Sequence, residues 1–388
     1  MRFLLSKGGK TNNIDNIELS TCDKNKITIF KSYNDILSDK KKEIDKEDIQ
    51  KYWDKMKKIG NPYELIYTSY NKKRKNDSIS SYSPISRSYF KLWEIYFNFN
   101  LFENVKENIN FVHLAEGPGG FMESSINYCK LKNFKNCKYW GITLKPNDEY
   151  VPDWNKLKKM FKKDNNCNIE YGDLYIYNDI LDFIEKINCK CHIVTADGGF
   201  DYSNDFNGQE INSSRIIYSE IATALNILKK NGHFIIKLFD LFTLNSIQYL
   251  QLLNNCFENV TIFKPETSRP ANSEKYIVCT NYLDNLSNDQ KHHLLLNIDK
   301  WKMNENEQVI FKKYKINNEL CYDIDKLNKI YIDFQLKSIT YILNIIKNKL
   351  NKNEYHNTLK DQVFNAIEWC EKYQIPINEN SIYYKKNN

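Results

Sequence analysis

Short apolar segments alternate with longer amphipathic ones through the centre of this chain. The segments that are short and apolar enough to be buried strands are 111–114, 139–144, 169–171, 192–196, 233–239, 260–263 and 276–279. Between them, the clearest helical spacing is that of Ile217, Ile221, Leu225 and Leu228. This alternation predicts an α/β fold, a mostly parallel sheet with helices on both faces.

The last two predicted strands are joined by a polar loop, 264–275, and not by a helix. A parallel crossover needs a longer connection that usually contains a helix. We therefore expect these two strands to form an antiparallel hairpin at the edge of the sheet.

Both flanks of the sheet region show helical patterns. Residues 45–58 of the Lys-rich N-terminal part predict a helix. In the C-terminal part, one face of a long helix is formed by Ile332, Leu336, Ile339, Leu343, Ile346 and Leu350. A second helix is predicted to begin at Thr358, where Asp361 completes a capping box. We expect an N-terminal extension (1–84), an α/β domain (85–283) and a C-terminal helical region (284–388).

The composition favours a polyanionic partner over a membrane. The 388 residues carry a formal net charge of +7, which favours nucleic acid, although AT-rich codons also enrich Lys. No apolar run reaches the roughly 18 residues of a bilayer span, and the N-terminus lacks a secretory signal. The ten cysteines show no zinc spacing. We expect an intracellular protein with reduced thiols and no metal.

The loop between the last two strands gathers groups that bind anions. Arg269 offers a guanidinium fork, Asn272 an amide, and Glu274 a carboxylate just before an apolar strand. Arg87 opens a predicted helix ahead of the sheet. Because arginine is rare in this chain, its position here favours a phosphate-bearing substrate, with chance placement as the open alternative.

A glycine-rich turn follows the first strand of the sheet and opens a helix. Its residues are Glu116, Gly117, Pro118, Gly119, Gly120 and Phe121. Glycine lets the backbone approach a ligand, and a nucleotide-like cofactor binds at this place in such sheets. The turn matches neither GxGxxG nor the P-loop. By itself it is equally compatible with a cofactor site and with a purely structural turn.

Four charged residues could carry acid–base chemistry. Asp197 ends the strand 192–196, and Lys237 lies in an apolar strand, where an unpaired ammonium is costly. Parallel pairing would place these two side by side. Glu274 and Lys91 are candidates to join them, but the residues alone do not show that all four converge. Such a set suits removal of a weakly acidic proton. For the Asp197–Lys237 pair alone, a structural salt bridge is the simpler interpretation.

Four segments resemble, in order and spacing, motifs of the FtsJ-like cap-specific mRNA 2′-O-ribose methyltransferases. They are EGPGGF (116–121), TADGGFD (195–201), GHFIIKLFD (232–240) and FKPETSRPANSEKYIV (263–278), within a match of roughly 86–282. The resemblance implies a Rossmann-like methyltransferase sheet. It also implies the family's Lys-Asp-Lys-Glu tetrad, which falls on Lys91, Asp197, Lys237 and Glu274.

The resemblance further implies ligands for the remaining sites. S-adenosylmethionine would occupy the turn at 116–121, with Asp173 at its adenine side and Asp197 close by. The 5′ end of a capped mRNA would contact Arg87, Arg269 and Asn272, with other capping enzymes as further partners. In the implied reaction, Lys237 takes the proton of a ribose 2′-OH while the oxygen attacks the sulfonium methyl.

Two other functions stay open. A non-catalytic RNA-binding or scaffold subunit of a capping complex could keep this fold, and a related enzyme could act on ribosomal or transfer RNA. Gly198-Gly199-Phe200 and the complete tetrad favour an enzyme acting on capped mRNA. No acid ends the second strand to bind the cofactor ribose, and Asp148 comes late. We expect a cytoplasmic location rather than a nuclear one, in a host cytoplasm or virion if the gene is viral.

Overall fold

The computed structural model has an α/β fold built around one large sheet. It describes residues 1–6, 17–23, 26–68, 77–103, 105–146, 151–162, 165–199, 207–301, 307–312, 314 and 316–385. Phe200 and Asp148 lie outside the described residues.

The strands of the described residues form two sheets. In chain order the strands are β1 (Arg2–Leu4), β2 (Leu19–Asp23), β3 (Asn110–Leu114), β4 (Lys138–Thr143), β5 (Cys167–Tyr171), β6 (Cys191–Ala196), β7 (Leu228–Leu238), β8 (Phe257–Phe263), β9 (Lys275–Tyr282) and β10 (Glu307–Phe311). The large sheet has the order β1-β8-β9-β7-β6-β3-β4-β5, and β2 pairs with β10 separately. The strands β3 to β7 pair in parallel. The predicted mostly parallel sheet is confirmed.

The predicted hairpin of β8 and β9 is present, but the sheet continues beyond it. β9 pairs antiparallel with both β7 and β8 and is therefore an inner strand. β1 then pairs with the outer side of β8, with Phe3 opposite Ile262. The expectation that the hairpin forms the edge was wrong, because a three-residue N-terminal strand covers backbone groups that would otherwise be exposed.

Helices cover both faces of the large sheet. In chain order they are α1 (Lys31–Lys42), α2 (Glu47–Ile59), α3 (Ser88–Asn98), α4 (Gly120–Leu131), α5 (Asn155–Met160), α6 (Tyr177–Ile187), α7 (Gln209–Asn212), α8 (Ser214–Ile227), α9 (Leu244–Cys256), α10 (Asn288–Asp299), α11 (Asn318–Asn348), α12 (Lys352–Lys372) and α13 (Ile382–Lys385). Val194 and Ile236 join the core that contains α8 and α9. Ile193 and Ile235 join the core that contains α3, α4 and α12. Burial on both faces is what parallel strands require.

A third core joins the N- and C-terminal helices beside the end of β7. α11 packs against α1 and α2, and Leu37, Trp53 and Ile339 are buried between them together with Phe242. Because Phe242 follows β7 closely, this core attaches the flanking helices to the strand that carries Lys237. Among the described residues, no helix is long and apolar enough to cross a membrane.

Two helix boundaries differ from the sequence prediction. α12 begins at Lys352, because Asn351 and Glu354 form a reciprocal capping box ahead of the position expected at Thr358. Leu228 begins β7 and does not belong to the preceding helix. The long helix α11 is confirmed, although Leu350 lies beyond its end.

Candidate active site

Asp197 and Lys237 lie side by side at the carboxyl ends of β6 and β7. These strands pair in parallel with Ala196 opposite Ile236, so the next residues meet at one end of the sheet. Lys237 Nζ lies 3.2 Å from Asp197 Oδ1 and donates a hydrogen bond of 2.7 Å to the backbone oxygen of Asp197. The juxtaposition expected from parallel pairing is therefore present.

Glu274 and Lys91 form a second ion pair near the first. Lys91 lies in the first turns of α3, and its Nζ lies 2.7 Å from Glu274 Oε2. The other carboxylate oxygen of Glu274 accepts a hydrogen bond of 2.9 Å from Ser268 Oγ. The two side chains of the pair retain 15% and 13% of their exposure. Their mutual attraction is therefore screened less than it would be in water.

The charged groups of the two pairs act on each other's pKa. Burial raises the pKa of Glu274, but Lys91 and Lys237 lower it more, to about 2. Burial lowers the pKa of Lys237, but Asp197 and Glu274 raise it more, so the pKa stays above its ordinary value. At neutral pH Lys237 is therefore an ammonium and Glu274 a carboxylate.

Tyr276 is a member of this cluster that the sequence analysis missed. Its hydroxyl donates a hydrogen bond of 2.9 Å to Asp197 Oδ1. Burial, followed by the charges of Asp197 and Glu274, raises the pKa of Tyr276 well above its ordinary value, so the hydroxyl keeps its proton. The signal was available, because a hairpin that places β9 beside β7 sets Tyr276 opposite Lys237.

Glu220 supports the loop after Asp197 from the inside. Its Oε1 accepts a hydrogen bond of 3.0 Å from the backbone N–H of Gly198. A Cβ at Gly198 would collide with this oxygen. Burial raises the pKa of Glu220 to about 8, although Lys237 lowers it in part. A Cβ at Gly199 would lie 3.0 Å from Lys237 Nζ. Gly198 therefore lets Glu220 reach the backbone, and Gly199 leaves room for Lys237.

The glycine-rich turn is held together by Glu116. The carboxyl oxygens of Glu116 accept hydrogen bonds of 2.6 and 3.0 Å from the backbone N–H groups of Phe121 and Met122. Both N–H groups lie in the first turn of α4, where backbone N–H groups have no acceptor within the helix. Glu116 itself is 3% exposed. Its observed contacts are thus within the turn, where it caps the helix.

The other predicted cofactor residues differ in how accessible they are. Gly117 and Pro118 are partly exposed at the carboxyl end of β3, while Gly119 adopts a φ of 114° that other residues rarely adopt. Gly120 packs against the hydroxyls of Ser86 and Ser88, and a Cβ there would collide with both. Phe121 is fully buried, with its ring 5.8 Å from that of Tyr276. The accessible part of the turn is therefore its first half.

Asp173 lies after β5, farther along the same end of the sheet. Its Oδ1 accepts a hydrogen bond of 2.8 Å from the backbone N–H of Tyr175, and its own N–H donates to Asp179 at 2.8 Å. The side chain is partly exposed. Asp173 is thus fixed in orientation and open to a ligand on one side.

Both arginines that were predicted to contact a substrate pair with a buried carboxylate, Glu64. Arg269 donates to Glu64 through Nε at 3.1 Å and Nη2 at 2.9 Å. Arg87 Nη1 lies 3.3 Å from Glu64 Oε2, and other N–H groups of Arg87 donate to the backbone oxygen of Thr267. Sequence analysis did not foresee Glu64, and the forks of both arginines are engaged within the protein.

The loop between β8 and β9 is fastened by Lys264, a second residue that sequence analysis missed. Lys264 is buried, and its Nζ donates to the backbone oxygens of Asn272 at 2.7 Å and Glu274 at 2.8 Å. Burial, followed by the charge of Lys275, lowers the pKa of Lys264 to about 7. The side chain of Asn272 stays exposed at the tip of the loop.

The flanking helices supply part of the wall beside Glu274. Lys41 of α1 forms an ion pair of 3.2 Å with Asp240, which follows β7. A cavity of about 170 Å³ next to this pair is lined by residues from three regions of the chain, among them Lys41, Trp53, Lys57, Arg269, Asn272, Glu274 and Gln335. The described residues contain no cluster of His, Cys, Asp and Glu that could hold a metal ion.

The glycine-rich turn and Asp197 lie where ligands bind in a known class of α/β proteins. The strand order reverses between β3 and β6, and the glycine-rich turn and Asp197 follow these two strands. Ligands of doubly wound α/β proteins bind in the crevice at this switch point. The chain belongs to the FtsJ-like methyltransferase family, whose model matches residues 84–282.

Several proteins are similar to part of this chain. The "Cap-specific mRNA (nucleoside-2′-O-)-methyltransferase 1" of Mus musculus is 31% identical over 249 residues, 60% of this chain and 29% of the mouse protein. The protein of the same name from Danio rerio is 37% identical over 185 residues, 45% of this chain and 22% of its own length. The chain thus spans less than a third of either relative. A solved ribosomal RNA methyltransferase structure from Plasmodium falciparum has a TM-score of 0.39 and 22% identity, covering 51% of this chain and 98% of that one.

Proposed function

We propose that the protein transfers a methyl group from S-adenosylmethionine to the ribose 2′-OH of a cap-proximal nucleotide of capped mRNA. The proposal rests on two neighbouring ion pairs at the switch point of the sheet, Lys237–Asp197 and Lys91–Glu274. The names of the relatives support the cap as the substrate. Residues 85–283 would carry the chemistry, and other capping enzymes would be further partners.

The glycine-rich turn fits a cofactor that has no phosphate. A pyrophosphate would need free N–H groups at the start of α4, but the carboxyl group of Glu116 already accepts from those of Phe121 and Met122. When bound, S-adenosylmethionine supplies an electrophilic methyl group on a cationic sulfonium. The backbone of Gly117 and Pro118, with Asp173 and Asp197, would hold it. This donor set favours it over a dinucleotide.

In the proposed mechanism, Lys237 Nζ takes up the proton that the 2′-OH gives away. Only the neutral amine can accept a proton, so the ammonium of Lys237 must first lose a proton. Asp197 and Glu274 oppose this loss, because their negative charges raise the pKa of Lys237. After the transfer, the same two carboxylates stabilise the ammonium that forms. Lys91 holds Glu274 in place, and Tyr276 holds Asp197. Much of the rate would come from the orientation of two bound reactants.

RNA would approach over the loop between β8 and β9. Asn272 is exposed there, and Lys57 and Trp53 line the neighbouring cavity. Arg87 and Arg269 would act mainly by fixing this loop through Glu64, since their forks are engaged. The ammonium of Lys57 suits an RNA phosphate, while Trp53 is buried in the core behind it.

The experiment uses labelled S-adenosylmethionine with three short RNAs: m7G-capped, capped without the methyl group, and uncapped. We expect methylation of the 2′-OH of a cap-proximal nucleotide in capped RNA. Lys237→Ala should lower the rate by about 10²–10⁴-fold, while the exposed control Lys326→Ala leaves it unchanged. Full activity of Lys237→Ala contradicts the mechanism. Binding of capped RNA without methylation would indicate a scaffold subunit, and methylation of ribosomal or transfer RNA alone would indicate the related enzyme.

A further inference from the structure

A polar cleft of about 740 Å³ lies at the end of the sheet opposite the candidate active site. It is bounded by the start of β6 and β7, by β1 and by the segment after α3. None of the residues assigned to methyl transfer lines it. A cleft of this size suits a small ligand, since ligand sites measure roughly 300–1,000 Å³.

Three cations in this cleft have no carboxylate partner among the residues described. Arg2 donates from Nη1 to the backbone oxygen of Asn98 at 3.2 Å, and its guanidinium carbon lies 4.4 Å above the ring of Phe99. Lys229 and Lys230 form no ion pair within the described part of the chain. Of the two carboxylates in the lining, Glu258 accepts a hydrogen bond of 2.8 Å from Asn281. Three cations against the carboxylates of Glu103 and Glu258 leave the lining with a formal net charge of +1, and the cations are not paired with either carboxylate.

His192 and Lys229 direct two hydrogen-bond donors at each other. The backbone N–H of Asn110 donates to His192 Nδ1 at 3.1 Å, so the proton of the neutral ring is on Nε2. Lys229 Nζ lies 3.1 Å from this Nε2. Burial, followed by the charge of Lys229, lowers the pKa of His192 to about 4, which keeps the ring neutral at pH 7. Two donors this close to each other lack an acceptor, and an anion oxygen lying beside both would supply one.

Part of the cleft lining is apolar. Leu101, Phe102, Val105 and Ile109 belong to it, and Val105 is the one that is more than slightly exposed, so a ligand that is only an anion would leave this apolar patch unused. A ring system or other apolar body attached to the anion would cover it.

We propose that this cleft binds a phosphate-bearing ligand of nucleotide size. Its phosphate oxygens accept hydrogen bonds from Arg2, His192, Lys229 and Lys230, and its ring packs against Val105 and the exposed edge of Phe102. Phosphate suits the site better than a carboxylate does, because it offers more acceptor oxygens and more charge to four donors. The site is independent of methyl transfer.

The test is isothermal titration calorimetry of the full chain with pyrophosphate, UTP and uridine, in low salt with EDTA. We expect UTP to bind more tightly than pyrophosphate, and uridine to bind weakest. The double variant Lys229→Gln/Lys230→Gln should weaken UTP binding by at least about tenfold, as expected for the loss of charge-assisted contacts. The control Lys352→Gln/Lys360→Gln, on the exposed face of α12, should change it by less than about twofold.

Two further measurements make the outcome decisive. Unchanged circular dichroism and unchanged methyl transfer in both double variants show that any loss is local to the cleft. The proposal is wrong if neither pyrophosphate nor UTP binds at millimolar concentration, or if the Lys229/Lys230 variant binds UTP as tightly as the parent. It is also wrong if an uncapped RNA oligonucleotide alone binds and needs these lysines, which would make the cleft an RNA surface.

Discussion

The hydroxyl of Tyr276 donates a hydrogen bond of 2.9 Å to Oδ1 of Asp197. The same oxygen lies 3.2 Å from Lys237 Nζ. Lys237 and Tyr276 face each other across the β7–β9 ladder, so two neighbouring strands hold the aspartate from two sides. The carboxylate is thereby fixed before any substrate arrives, which is the preorganisation that an acid–base site needs.

Replacement of Tyr276 by Phe tests this arrangement. Tyr276→Phe removes one donor to Asp197, and we expect kcat to fall by about 5- to 30-fold, equivalent to about 1–2 kcal/mol, with unchanged KM. The matched control is Tyr282→Phe in the same strand, whose buried hydroxyl donates to the backbone oxygen of Leu225 at 3.2 Å. The control should lose stability but keep kcat. Equal kcat in both variants would exclude a role for the Tyr276 hydroxyl.

The pH dependence of the rate tests the role of Lys237. Because Asp197 and Glu274 hold the pKa of Lys237 above its ordinary value, the neutral amine is scarce at pH 7 and increases tenfold per pH unit. We expect log kcat to rise with a slope near one between about pH 6 and 9. A flat profile over this interval, with the protein folded throughout, contradicts Lys237 as the base.

Substitutions of Glu64 and Asn272 distinguish two roles of the loop between β8 and β9. Glu64 supports the loop, and Asn272 is proposed to contact RNA. Glu64→Gln leaves the guanidinium groups of Arg87 and Arg269 without their carboxylate, and we expect the free energy of unfolding to fall by about 3 kcal/mol. Asn272→Ala changes an exposed side chain and should leave stability within about 0.5 kcal/mol. It should raise KM for RNA about fivefold, the effect of one lost hydrogen bond. Denaturant unfolding and steady-state kinetics measure both, and unchanged KM in Asn272→Ala would remove Asn272 from the RNA site.

Lys264 should matter for the reaction although it touches neither partner in the proposed transfer. Lys264→Met leaves the backbone oxygens of Asn272 and Glu274 without their common donor. We expect a loss of about 1–3 kcal/mol in stability, a lower kcat and a higher KM for RNA. The control Lys291→Met breaks the pair with Asp284 far from the site and should affect stability alone. Normal kinetics in Lys264→Met would show that the loop holds without this lysine.

His233 and Glu274 should each contribute a loss of stability in acid, in different pH intervals. Burial lowers the pKa of His233 from 6.5 to about 4, so the unfolded chain takes up this proton first and stability is lost as pH falls from 6.5 towards 4. The loss is about 3 kcal/mol, at about 1.4 kcal/mol per pKa unit. Despite burial, Lys91 and Lys237 lower the pKa of Glu274 from 4.5 to about 2, and its stabilisation is lost below 4.5. Urea unfolding of the parent and of His233→Gln measures this contribution as a difference, because His192 and Glu220, whose pKa values are also shifted, act in both proteins. The parent should lose about 3 kcal/mol more than the variant between about pH 7 and 4, and an equal pH dependence in the two proteins would contradict the role of His233.

The sequence by itself determined the alternation of strands and helices, the glycine-rich turn and the meeting of Asp197 with Lys237, whereas Lys91 and Glu274 were assigned through the family resemblance. Apolar periodicity and turn residues act between neighbours in the chain, so they can be predicted locally. The start of α12 was missed, although Asn351 and Glu354 are also local, because a weaker capping pattern at Thr358 was preferred.

Only the tertiary structure decided which groups meet across long stretches of chain. The pairing of Arg269 with Glu64, 205 residues apart, converts a predicted phosphate contact into a support for the loop. The addition of β1 outside β8 and the hydrogen bond from Tyr276 to Asp197 arise in the same way. Such contacts depend on how whole elements pack, and local sequence patterns do not encode the choice of a distant partner.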